Sequence, residues 1–275
     1  MTVKSGIESL ESYATKIRAQ AVRMVHRSRA SHLGSCLSMA DLLACLYWRT
    51  LHIDPANPRW DERDRFLLSK GHGAAILYAT LAERGYFPVG ELEQYCMAGS
   101  RLTGHATSGV PGVELSSGSL GHGLPVGCGL ALANKRSGAT MRTFVLLSDG
   151  EMDEGSNWEA LLFAAHHKLD NLIAIVDYNK IQSFGRTAEV LNLEPLADKF
   201  RVFGWNAIEI DGHSMGQIAM TFDQLPTGQG KPVAVVAHTV KGKGVSFMED
   251  QLVWHYKSPN EEQLVQALNE LGVQP

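Results

Sequence analysis

The stretch SDGEMDEG (148–155) sets four carboxylates, Asp149, Glu151, Asp153 and Glu154, and two glycines into eight positions, directly after the apolar run TFVLL (143–147). Like charges crowded at the end of a buried strand repel one another and lose hydration. Either they form a solvated loop or a cation gathers some of them. Asp149 ends one apolar run, and Asn179, with Asp177 and Tyr178 before it, ends another, LIAIVDYN (172–179). A carboxylate and an amide oxygen at neighbouring strand ends suit a hard cation such as Mg²⁺ or Ca²⁺, which takes few protein carboxylates and completes its shell with phosphate oxygens. Gly150 lets the backbone approach such a phosphate. An EF-hand loop is excluded, because the sixth position counted from Asp149 is Glu154 where a glycine is required. Glu151 and Asp153 are accounted for by an acidic helix start.

The elements that must position these groups are legible in the periodicity. Leu10, Ala14, Ile17, Ala21, Met24 and Val25 recur at helical steps, and further helices are expected over 39–48, 70–85 (stopped by Gly85) and 124–135. Between the last two runs lies a Gly/Ser/Thr-rich stretch, 99–123, too long for an ordinary connection. From 143 the pattern alternates. Strands are expected at 143–149, 172–179, 206–211 and 232–239, with helices at 157–170 (Trp158, Leu161, Leu162, Ala165 and Leu169 on its apolar stripe), around 214–225 and at 260–272. Continuous apolar strands alternating with helices predict an α/β fold: a doubly wound, mostly parallel sheet with helices on both faces. No repeat or low-complexity linker divides the chain, which reads as one domain over 1–275.

Composition narrows the function class. With 275 residues, 44% hydrophobic, 20% charged and a net charge of −4, the chain has no general attraction for nucleic acid or anionic membranes. No apolar run approaches the roughly 18 residues of a membrane span, and MTVKSGIESLESY lacks a secretory core, so a cytoplasmic protein is expected. Cys36, Cys45, Cys96 and Cys128 are scattered and read as small hydrophobes in a reducing compartment, with neither disulfide nor zinc spacing.

Asp149-Gly150, then 28 residues, then Asn179, resembles the thiamine diphosphate motif G-D-G-x(25–30)-N. The segments SRASHLGSCLSMADLL (28–43), PRWDERDRFLLSKGHGAAILY (58–78), LTGHATSGVPGVELSSGSLGHG (102–123), SDGEMDEGSNWEA (148–160), DYNKIQSFG (177–185), DGHS (211–214) and TVKGKG (239–244) extend the resemblance. Together they are similar to the N-terminal, diphosphate-binding (PP-type) domain of transketolases in order along nearly all of 10–260. The resemblance implies that Asp149, Asn179 and the Ile181 carbonyl hold Mg²⁺ (or Ca²⁺ or Mn²⁺), and that His72 and Gly150 lie against the diphosphate. It places Gly118 and Leu120 at the aminopyrimidine end, and His32, His105 and His255 along the substrate channel. Of these, His255 is a cofactor contact as well as a catalytic residue, and so is His72. Glu154 and Glu159 match acidic positions that face a subunit interface. Neutral imidazoles move protons on sugar hydroxyls near neutral pH, which gives so many histidines a purpose. The remaining histidines, His26, His52, His166, His167, His213 and His238, are expected to be structural or exposed.

Three positions depart from the family pattern: Ser148 replaces the first glycine of G-D-G, His122 stands where glutamine is common, and SHLG replaces G-H-P-G. The resemblance further implies a pyrimidine-binding domain with an activating glutamate, and a C-terminal domain, neither of which is expected within these 275 residues. They are expected on a C-terminal partner chain in an α₂β₂ assembly acting on sugar phosphates, with neither nucleic acid nor membrane as a partner. The donor could be a pentose phosphate, apulose 4-phosphate or a sulfosugar phosphate. Other readings are a 1-deoxyxylulose-5-phosphate synthase-like enzyme and a non-catalytic cofactor-binding protein. A nicotinamide dehydrogenase fits poorly, because the glycines at 121, 123 and 127 miss the G-x-G-x-x-G spacing and no strand precedes them.

Overall fold

The computed structural model describes residues 6–274, so the first five residues of the N-terminal stretch lie outside the described residues. Five strands, β1 (Arg65–Leu68), β2 (Thr143–Ser148), β3 (Leu172–Tyr178), β4 (Asn206–Asp211) and β5 (Val233–His238), pair in parallel in the order β1-β2-β3-β5-β4. The helices are α1 (Ile7–Ser28), α2 (Leu33–Ser38), α3 (Ala40–Cys45), α4 (Ala74–Arg84), α5 (Gly123–Arg136), α6 (Gly155–His166), α7 (Thr187–Val190), α8 (Leu196–Val202), α9 (Met215–Asp223) and α10 (Glu261–Glu270). β1 escapes the sequence reading because four residues are too short to show a period.

Alternation along each strand builds a core on each face. Phe144, Leu146, Ile173, Ile175, Val233 and Val235 join residues of α1, α3, α4, α9 and α10. Val145, Leu147, Ala174, Val176, Ala234 and Val236 join residues of α5, α6 and α8. Burial on both faces is why the central stretches of these strands are continuously apolar, with polar residues only near their ends. The arrangement is the doubly wound sheet expected, with every strand pair parallel.

The elements differ from the periodicity in detail. Residues 39–48 are not one helix: α3 runs into a π-helical turn, Leu46–Thr50. His72 sits in a short 3₁₀ turn, Gly71–Gly73, ahead of α4, and Gly85 ends α4 with φ +97°. On α6 the expected stripe is displaced. Asn157, Ala160, Leu161 and Ala164 are buried, whereas Leu162 is 61% exposed. Sheet and α5 cover one face of α6 only, so part of its apolar surface looks outward. Cys36, Cys45 and Cys128 are buried small hydrophobes as expected, and Cys96 is exposed.

Candidate active site

The register of β2 against β3 sets Ser148 opposite Asp177, so Asp149 and Asn179 leave the sheet side by side at its carboxyl edge. Ligands of open parallel sheets bind at that edge. A cavity of about 250 Å³ opens there, lined by His32, His72, His105, His255, Gly118, Leu120, Asp149, Gly150, Asn179 and Ile181. The sequence-derived site residues thus converge on one space, although they are spread over more than 220 positions.

Each histidine is held differently. His32 precedes α2 with φ +69°, a left-handed conformation that costs a non-glycine residue energy and persists only where its surroundings impose it. Its N–H donates to the His255 carbonyl at 2.9 Å, and its Nδ1 lies 2.9 Å from Ser31 Oγ. The His32 ring lies 4.9 Å from His72, 5.0 Å from His255 and 6.3 Å from His105, centroid to centroid. His72 is fixed by its backbone: Gly71 donates to Ser69, and a Cβ at Gly71 would meet the Ser117 carbonyl at 2.1 Å. Burial, helped by His105 and Lys241, lowers the His32 pKa to about 4; burial, with Lys241, lowers that of His255 to about 3. Burial pushes His72 well below its ordinary value too. These three imidazoles are therefore neutral at physiological pH.

The acidic cluster divides into distinct roles. Glu151 is no solvated helix residue, contrary to the sequence reading. A 3₁₀ turn, Gly150–Asp153, intervenes before α6 and turns its carboxylate inward. There it accepts from Ser69 Oγ, from Gly121 N at 2.9 Å and from Ser148 N at 3.2 Å. Burial raises its pKa. It thereby ties together three segments that border the cavity. Asp153 accepts from Gln182 Nε2 at 2.9 Å, so it is not a free helix-start charge either. Glu154 and Glu159 are exposed, outside the cavity, as is His122 ahead of α5.

Asp177 and Asp149, next to one another at the strand ends, have opposite fates. Asp177 accepts from Lys70 Nζ, Ser38 Oγ and Thr239 Oγ1. Burial works to raise its pKa, but the Lys70 ammonium and these bonds outweigh it and hold it below the usual range. Asp149 accepts only from main-chain N–H groups, Gly150 at 2.7 Å and Lys180. Burial and the Asp177 charge raise its pKa to about 6. Among the described residues no side-chain cation bonds to this fully buried carboxylate, and the charge of nearby Lys241 does not offset its burial, which a hard divalent ion would relieve. Asn179 Oδ1 accepts from Ile181 N at 3.2 Å, and the Ile181 carbonyl accepts from Lys241 Nζ at 2.9 Å. Each oxygen retains lone pairs beyond these bonds, so the set fits a cation. Among the described residues no group of three or more His, Cys, Asp or Glu is placed for a metal, so a ligand set must draw on amide and carbonyl oxygens.

Ser148, at the first position of the G-D-G motif, lines the cavity too, as do Lys241, Gln182, Ser183 and Ser35, none of which stands out as a site residue in the sequence. For Lys241 the available signal is the charge of TVKGKG at the exit of an otherwise apolar strand. Ser148 keeps its hydroxyl turned to its own turn, accepting from Glu151 N at 3.2 Å. Of the histidines expected to be structural, His213 bridges Asp41 at 2.8 Å and Val240 N at 2.8 Å. No helix among the described residues is long and apolar enough to cross a membrane.

The chain matches the family model described as transketolase, thiamine diphosphate binding domain, over residues 9–275. It is 41% identical over 266 residues to one of the subunits of an apulose-4-phosphate transketolase from Phocaeicola vulgatus, covering 97% of this chain and 95% of that protein. It is 42% identical over 263 residues to a 6-deoxy-6-sulfo-D-fructose transketolase subunit of a Clostridium species, covering 95% and 96%. Among solved structures, the transketolase of Campylobacter jejuni superposes with a TM-score of 0.93 at 31% identity, over 98% of this chain and 44% of that one. The transketolase of Leishmania mexicana gives 0.92 at 30%, over 99% and 42%. The chain therefore spans less than half the length of those solved chains.

Proposed function

The chain belongs to the transketolase family, as its thiamine diphosphate-binding part, and on that premise we propose that it forms half of an active site for transfer of a two-carbon ketol unit from a ketose phosphate to an aldose phosphate. The convergence of four histidines and the Asp149, Asn179 and Ile181 oxygens on one cavity carries this reading. Bound thiamine diphosphate supplies the carbon nucleophile and electron sink that break the C2–C3 bond of the ketose. Asp149, Asn179 and the Ile181 carbonyl hold Mg²⁺, or Ca²⁺ or Mn²⁺, against its diphosphate, which Gly150 and His72 also border. Gly118 and Leu120 receive the aminopyrimidine end.

The protein's own work is to bind and to manage protons. His32, His72 and His255, neutral and close-packed, hydrogen-bond the sugar hydroxyls, and His105, exposed at the rim, meets the incoming sugar. A glutamate that activates the cofactor, and basic groups for the sugar phosphate, come from a C-terminal partner chain, in an α₂β₂ assembly located in the cytoplasm. The single domain of this chain is the diphosphate-binding unit of that assembly. Glu154 and Glu159, both exposed, face the interface between subunits. The names of the two subunit relatives favour phosphorylated or sulfonated sugars outside the common pentoses as donors.

The test is a ketol-transfer assay with thiamine diphosphate and Mg²⁺ over a panel of ketose phosphates, with the chain alone and with a C-terminal transketolase subunit. Activity is expected only in the mixture. Turnover by the isolated chain would overturn the split-site reading, and cofactor binding without turnover in the mixture would favour a non-catalytic role.

A further inference from the structure

Among the described residues Lys241 is the one ammonium that lines the cavity, and it is almost wholly shielded from solvent, at 1% exposure. Its stem packs on Gly34, where a Cβ would approach Lys241 Cγ to 3.0 Å. Its Nζ stands 2.9 Å from the Ile181 carbonyl and 2.9 Å from His255 Nδ1. The carbonyl can only accept. Burial lowers the Lys241 pKa only to about 8, so near neutral pH it is an ammonium with three donors and no lone pair, and Nδ1 accepts as well. The remaining proton of the neutral imidazole then sits on Nε2, which has no hydrogen-bond partner among the described residues.

We propose that Lys241 is a positioning residue that locks His255 in its Nε2–H tautomer, so that this histidine enters the site as a hydrogen-bond donor and not as a base. The identity of the acceptor rests on the transketolase reading: it is an oxygen of the sugar or of the diphosphate. The tautomer itself does not depend on that reading. His32 is coupled to the same arrangement, because its N–H holds the His255 carbonyl and its ring stands edge-on to that of His255 at 5.0 Å. The lysine thus selects which of two neighbouring imidazoles can accept a proton. His255 has its acceptor nitrogen occupied, and that role is left to its neighbours.

The experiment is ¹⁵N–¹H long-range correlation NMR on the full chain with ¹⁵N-labelled histidine, His255 assigned by loss of its signals in His255→Gln. The expected spectrum shows His255 as a single Nε2–H tautomer near pH 7.5. In Lys241→Met it should become a mixture of tautomers, and in Lys241→Arg, which keeps a donor, the Nε2–H form should dominate again. Circular dichroism of each variant checks folding. An Nδ1–H tautomer in the unmodified chain, or an unchanged tautomer in folded Lys241→Met, would overturn the proposal. Either result would leave the ketol-transfer reading to its own assay. In the assembled enzyme, Lys241→Met should lower kcat more than it raises KM, because a misoriented donor fails at the reacting oxygen more than in binding.

Discussion

At the scale of single residues, the site turns on which carboxylate is left without a cation. Asp149 and Asp177 lie at adjacent strand ends, yet Lys70 bonds directly to the second, whereas among the described residues the first has no side-chain cation bonded to it and feels Lys241 only through space. Asp149→Asn keeps the shape and removes the charge. It is expected to weaken Mg²⁺-dependent binding of thiamine diphosphate by more than about 100-fold, since changes one shell further out already cost 10–100-fold. Titration calorimetry with and without Mg²⁺ would read this directly; unchanged binding would remove Asp149 from the ligand set. Asp149 and Asn179 are legible in the sequence because strand ends can be located from apolar runs. Glu151 is not. Its three donors come from positions 69, 121 and 148, and no local pattern announces that a carboxylate beside a solvated loop will be turned inward.

At the scale of elements, the strands and long helices follow from periodicity, whereas the short pieces that aim the histidines do not. The turn at 71–73, α2 and the turn Leu252–His255 are each too brief for a period to show, and their shapes are imposed by neighbours. The Gly71 approach to Ser117 is one such neighbour, and the His32–His255 main-chain bond another. The stripe on α6 is displaced for a related reason: Leu162 and Phe163 are apolar but lie where the sheet does not reach. Beneath these pieces the Lys70–Asp177 pair joins the turn after β1 to the end of β3, with Ser38 and Thr239 completing its bonds. Asp177→Ala would strand a buried ammonium and is expected to cost about 3–5 kcal/mol. Urea unfolding monitored by circular dichroism would measure it, and a loss below about 1 kcal/mol, the range of an exposed pair, would mean that the pair is not sealed from water.

At the scale of the whole molecule, the buried imidazoles set how stability responds to acid. In the unfolded chain a histidine titrates near 6.5; in the fold His32 and His255 are held to about 4 and about 3. Their contribution is therefore complete above pH 6.5 and is lost as pH falls toward 4 and below, because only the unfolded chain then takes up the protons. Asp149, raised to about 6, works in the opposite sense. It favours the fold below its unfolded value and loses that contribution as pH rises through 6. With two histidines, and His72 shifted the same way, against Asp149 and Glu151, the melting temperature of the cation-free chain is expected to decline as the pH falls from 6.5 to 4. A melting temperature that rose as the pH was lowered over that interval would contradict the burial of these rings. The fold class and the convergence of the site are legible from sequence, since they depend on patterns spread along the chain. The order in which the site becomes usable is a different matter. His32 is held by the carbonyl of His255, 223 positions later, so a chain still being synthesised can complete α1, α2 and most of the sheet with its first histidine unanchored. The cavity around these histidines is thus among the last features that a nascent chain acquires, and a chain cut short before residue 255 would carry its five strands with His32 still unanchored.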